Sequence, residues 1–123
     1  MPSRRQRYGR KSEERAARHL QACGYVILEK NFRTQHGEID IIAEDNGVIV
    51  FVEVKARKTE SFGNPKEAVT EDKQRKISMV ALQYLKSTGQ LAASARFDVV
   101  AVHRSDGCER FEVVENAFEL AYG

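Results

Sequence analysis

Cysteine is scarce in this chain of 123 residues. Cys23 and Cys108 cannot build a disulfide framework, and neither has a CxxC or a nearby histidine partner, so reduced, ordinary thiols are expected. His19, His36 and His103 are scattered, which leaves a zinc site little support. No apolar run approaches the roughly 20 residues that span a bilayer. The opening stretch MPSRRQRYGRKSEERAARHL has no apolar core of the kind a secretory signal needs. A cytoplasmic protein with no membrane partner is expected. Internal repeats and low-complexity tracts are also missing. What remains is an apolar fraction of 41% beside a charged fraction of 31%, the balance of one soluble globular domain.

Charge is unevenly spread. From Arg4 to Arg18, seven basic residues (Arg4, Arg5, Arg7, Arg10, Lys11, Arg15, Arg18) against Glu13 and Glu14 make +5, which leaves −3 for the rest of a chain of net charge +2. A basic arm over residues 1–9 on a near-neutral body over 10–123 suits contact with phosphates. A solvated terminus accounts for the same run.

Helical spacing of Glu13, Ala16, Ala17 and Leu20 predicts a helix from about Arg10 to Ala22, stopped by Gly24. YVILEKNF, GEIDIIAE and VIVFVEVKA read as three strands, the last two joined at Asn46-Gly47, a pair that favours a type I′ hairpin. A polar loop with Gly63 and Pro65 follows. Thr70 caps a second helix with Glu71 and Asp72 in its first turn and an apolar stripe of Ile77, Val80, Ala81 and Tyr84. Two strands, RFDVVAV and RFEVVE, come next, and a short helical tail is expected around Ala117 to Leu120. The order αβββαββ implies an α/β fold, a mixed sheet with helices packed on it.

Three residues in the hairpin are polar where the pattern predicts apolar. With Asn46 and Gly47 as a two-residue loop, Ile42 faces Phe51, Asp40 faces Glu53 and Glu38 faces Lys55, all on one side of the sheet. Directly opposed β-carbons stand about 4.5–5.5 Å apart, so two carboxylates there repel unless something positive lies between them. A three-residue loop would pair Asp40 with Val52 instead. The alternate face of the second strand, Val48, Val50, Val52 and Val54, is apolar as well, which marks an internal strand. Glu13 adds a third acid, because it falls mid-stripe on the core side of the first helix. Three acids near a lysine are the donor set of a hard divalent cation such as Mg²⁺, with Mn²⁺ as a substitute. A lysine there can orient or deprotonate water and balance developing negative charge. Glu53 and Lys55, taken alone, also fit an ordinary ion pair.

At these residues the sequence resembles the YraN family, small bacterial proteins with a restriction-endonuclease-like fold close in architecture to the archaeal Holliday junction resolvases. The shared features run through Glu13 and Ala16, GYVILEKNFR, GEIDIIA, VFVEVKAR, FGNPKEAV, TEDKQRKI and RFDVVAV. The resemblance implies a PD-(D/E)XK site in which Asp40 is the first acid, Glu53 and Lys55 form the E-x-K, and Glu13 is the helix acid. Ile39 stands where the motif's proline would be.

Arg57 and Lys58 open the loop, and Lys73, Arg75 and Lys76 open the second helix. With Arg4, Arg5, Arg10 and Lys11 they could line a phosphate track, or simply face solvent. Phe62 could stack on an unpaired base or fold back on the body. Asp98 suggests a structural partner such as Arg96 or a backbone amide. Three functions compete: a Mg²⁺-dependent endonuclease acting on DNA, branched or structured DNA included; a nucleic-acid-binding protein of nuclease ancestry that does not cut; and an interaction protein with an ion-pair network. A symmetric junction would suit a homodimer.

Overall fold

The computed structural model describes residues 4–57, 69–105 and 107–118, with side chains for 11–56, 69–104 and 107–118. Helix α1 spans Arg4–Ala22, and strands β1, β2 and β3 span Val26–Thr34, Gly37–Asp45 and Val48–Arg57. Helix α2 (Glu71–Ser87) then leads to β4 (Ala95–Ser105) and β5 (Cys108–Phe118). The strands form one mixed sheet in the order β1-β2-β3-β4-β5, an α/β arrangement in which only β3 and β4 run parallel.

Turn chemistry sets the register. Asn46 (φ 50°) and Gly47 (φ 84°) are both left-handed, as a type I′ turn requires, and Asp45 pairs with Val48 across it. Ile42 therefore pairs with Phe51, as the two-residue loop demands. β3 lies mid-sheet and is covered on both faces. One face carries Ile42, Phe51, Phe97 and Val99 beneath Ile77, Val80, Ala81 and Tyr84 of α2. The other carries Ile41, Ala43, Val50, Val52, Val100 and Val102 beneath Ala16, Ala17 and Leu20 of α1. Each fully buried aliphatic side chain contributes roughly 1.5–3 kcal/mol. Thr70 starts α2, its Oγ1 accepting the Lys73 N–H at 3.2 Å. Among the described residues, no helix is long and apolar enough to cross a membrane.

Two boundaries differ from expectation. α1 begins at Arg4 instead of Arg10, so the basic segment continues the helix. β5 runs through Phe118 where a helical tail was expected, because Phe118 is buried and stacks on Phe97 with ring centroids 4.5 Å apart. Leu120 lies outside the described residues.

Asp98 has the structural role expected of it. Fully buried, it accepts Arg96 Nε at 3.0 Å, Tyr25 Oη at 3.0 Å and the Asn116 N–H at 2.9 Å. Arg96 reaches on to Asp45 at 2.8 Å. The network ties the hairpin end of β2 to β4, β5 and the segment entering β1.

Candidate functional site

β2 and β3 are laddered only from the turn as far as Ile41↔Val52, although both strands run on. Beyond that pair β2 stays with β1, through Phe32↔Ile39 and Arg33↔Glu38, and β3 stays with β4, from Glu53↔Val99 to Arg57↔His103. The sheet forks where the register would next oppose Asp40 to Glu53. Repulsion between those carboxylates disfavours closing the ladder. Asp40 Oδ2 accepts the Val54 N–H at 2.8 Å instead, which satisfies a donor on the parted strand.

A second irregularity redirects Asp40. Ile39 packs with Ile42 in the core under α2, while Ile41 and Ala43 pack under α1. Strict alternation would group Ile39 with Ile41, so the expectation that Glu38, Asp40, Ile42, Phe51, Glu53 and Lys55 share one face is corrected. The break has a visible counterpart across the ladder. Asn31 in β1 has φ 56°, and this left-handed kink lies between the Lys30↔Ile41 and Phe32↔Ile39 pairs. Phe32, just past the kink, joins Ile39 against the α2-side core.

The result is convergence on α1. Carboxylate oxygens of Glu13, Glu38 and Asp40 lie within 4.8 Å of one another. With the Asn31 amide turned so that its nitrogen, not its oxygen, faces the acids, which is the orientation that satisfies both ends of the group, it donates to Glu13 Oε2 at 2.8 Å and to Glu38 Oε1 at 3.0 Å. Glu38 Oε2 also accepts Arg33 Nε at 3.0 Å, so Glu38 is held by Arg33 and Asn31 and not by the Lys55 that the register would place opposite it.

Glu53 stands outside that trio. It is buried, and its Oε1 lies 2.5 Å from Lys73 Nζ and 3.4 Å from Lys55 Nζ. The Thr70 cap fixes the backbone of Lys73, and its side chain, expected on a phosphate track, is engaged by Glu53. Lys76 pairs with Asp72 at 3.1 Å on the exposed face of α2, and Lys11 is exposed. The side chains of Arg4, Arg5, Arg10 and Arg57, and Lys58 and Phe62 entire, lie outside the described residues. Cys23 does have a histidine neighbour: its Sγ lies 3.7 Å from Nε2 of His19, one helical turn earlier.

Electrostatics follow from this crowding. Burial and then the nearby Glu53 charge push the Asp40 carboxyl up to about 8, against the lowering effect of the Val54 N–H. Burial also lowers the Lys55 amine, and the hydrogen bond from Lys73 lowers it further. For Lys73, burial acts downward, but the hydrogen bond and charge of Glu53 outweigh it and raise the amine. One lysine thus loses its proton more readily than usual and the other keeps it.

Sequence reasoning did not find Asn31, or the part played by Glu38 and Lys73. A usable signal existed for the first, since an asparagine within a strand-like run is a candidate for left-handed backbone. Lys73 meets Glu53 only through the packing of α2 on the sheet.

Residues 12–102 match the family described as uncharacterised protein family UPF0102. The chain belongs to the UPF0102 family. A UPF0102 protein of Desulfosudis oleivorans is 54% identical over 119 residues, 97% of this chain and 95% of that protein. UPF0102 proteins of Syntrophus aciditrophicus (51% over 118 residues; 95% and 92%) and Geobacter metallireducens (50% over 114 residues; 93% of each) are similar along nearly their whole lengths. The UPF0102 match takes in Glu13, Asn31, Glu38, Asp40, Glu53, Lys55 and Lys73.

Proposed function

We propose that this UPF0102 protein is a divalent-cation-dependent endonuclease of the PD-(D/E)XK kind that hydrolyses phosphodiester bonds in DNA, branched or structured DNA included. The observation that carries the reading is the fork in the sheet. It sets Asp40 and Glu53 on parted strands, with Lys55 two residues beyond Glu53 and Glu13 supplied by the helix above.

The donor set fits a hard cation. Glu13, Glu38 and Asp40 offer only oxygen, within 4.8 Å of one another. That is near the roughly 4 Å between opposite ligands at the magnesium–oxygen length of about 2.0–2.1 Å. Those three residues, with Glu53 across the fork, would hold it. When bound, such a cation polarises a phosphoryl oxygen and acidifies water. Lys55, the amine that burial lowers, takes or steers the proton of the attacking water and steadies charge on the phosphate. Glu53 holds Lys55 at 3.4 Å. Lys11 and Lys76, exposed on the two helices, are suited to the flanking phosphates.

A second reading has its own observation. The Lys73 ammonium sits 2.5 Å from Glu53 and offsets its charge with no metal ion needed, as suits a binding protein of nuclease ancestry. Labelled duplex, single-stranded, flap and four-way-junction DNA, offered with Mg²⁺ or Mn²⁺ to wild type and Glu53→Ala, separates the two. Cutting that needs the cation and vanishes in the variant supports the nuclease. Binding shared by both proteins, with cutting by neither, refutes it in favour of the binding protein.

A further inference from the structure

We infer that Asn31 is a positioning residue that sets the spacing of the Glu13, Glu38 and Asp40 carboxylates for a divalent cation; the inference rests on the cation-dependent reading above. Its backbone acts first. The left-handed kink at φ 56° coincides with the break in alternation on β2, which leaves Ile39 with Phe32 in the α2-side core and brings Asp40 and Glu38 to Glu13. Asparagine tolerates that conformation where a β-branched residue would not.

Its amide acts second. One –NH₂ group has two hydrogens, and with the amide oriented nitrogen toward the acids Asn31 directs one to Glu13 at 2.8 Å and one to Glu38 at 3.0 Å. The two acids are thereby held apart from each other and beside Asp40 by a donor that carries no charge. A lysine or arginine in its place would neutralise the acids and compete with a cation. That contrast exists within the site itself, where Glu53 is met by the ammonium groups of Lys73 and Lys55. The neutral clamp adds no counter-charge of its own to the trio, in which Glu38 already meets Arg33 through its other oxygen. Groups that orient metal ligands in this way typically change affinity by about 10–100-fold when removed.

Asn31→Gly separates the two contributions, because glycine keeps the left-handed backbone at no steric cost and deletes only the amide. The test is titration of Mn²⁺ and of Mg²⁺ into wild type and Asn31→Gly, read by calorimetry and thermal shift. Urea unfolding in chelator supplies the cation-free stability, and cleavage rate against Mg²⁺ concentration supplies the kinetic readout. The expected result is a cation affinity at least about tenfold weaker in Asn31→Gly, with cation-free stability near wild type. Half-maximal cleavage should move to higher Mg²⁺ while the rate at saturating Mg²⁺ stays close to wild type. Wild-type cation affinity in Asn31→Gly would overturn the inference and leave the nuclease reading standing. So would a loss of cation-free stability that accounts for the whole affinity change. A wild-type protein indifferent to either cation would overturn both.

Discussion

Asp40→Asn should stabilise the cation-free protein, and by an amount that grows with pH. In the folded chain the Asp40 carboxyl is raised from 3.8 to about 8. Between those values the native state keeps a proton that the unfolded chain has released. A raised folded value makes its contribution to stability full below pH 4, lost progressively as pH rises, and gone above about 8. At about 1.36 kcal/mol per unit, the wild-type protein loses on the order of 4 kcal/mol by pH 7 and 5–6 kcal/mol above pH 8 from this group. Asparagine has no proton to release, and its carbonyl oxygen can still accept the Val54 N–H that Asp40 accepts at 2.8 Å. Urea unfolding in chelator at intervals from pH 5 to pH 9 reads the gap between variant and wild type. The gap should widen toward pH 8 and then level off. A gap independent of pH would show that burial and Glu53 do not hold that proton, and the electrostatic account of the fork would fall with it.

Asp98→Ala should cost about 3 kcal/mol, because it removes the fully buried acceptor shared by Arg96, the Tyr25 hydroxyl and the Asn116 N–H, while Arg96 keeps its pair with Asp45. Equilibrium denaturation measures the loss, and cleavage by the folded fraction at low temperature should be unchanged. Lys73→Met removes the closer of the two cations on Glu53, so the variant should bind Mn²⁺ more tightly while losing roughly 1 kcal/mol of cation-free stability from this half-exposed pair. Calorimetric titration giving an unchanged affinity would mean that Lys73 does not compete for the site.

Much of this was legible from the residues because local chemistry dictated it. Asn46-Gly47 admits one turn type, the turn sets the register, and that register holds as far as Ile41↔Val52, one step short of Asp40 and Glu53. The apolar residues of α1 similarly point Glu13 inward, and its carboxylate meets that of Asp40. What periodicity could not supply was the departure from period two. One left-handed residue, Asn31, rotates the following side chains of β1, and β2 follows by pairing; nothing in the apolar pattern of GEIDIIA announces it. The Lys73–Glu53 pair depends on how α2 lies across the sheet, and neither side chain's local context specifies the other.

The parallel pairing of β3 with β4 has a kinetic consequence. α1 and the β1–β2–β3 meander can form from near neighbours in sequence, and so can the β4–β5 hairpin, but Ile49 must find Ala95 across the whole α2 crossover. Closing that long loop is the slow, high-contact-order event. Glu13, Glu38, Asp40 and Glu53 all belong to the part that can assemble first, whereas Lys73 arrives only with the crossover. Four acids are thus gathered before one of their counter-charges is delivered. Refolding measured by stopped flow should quicken as ionic strength rises, and an unchanged rate would mean that the crossover docks before the acids meet.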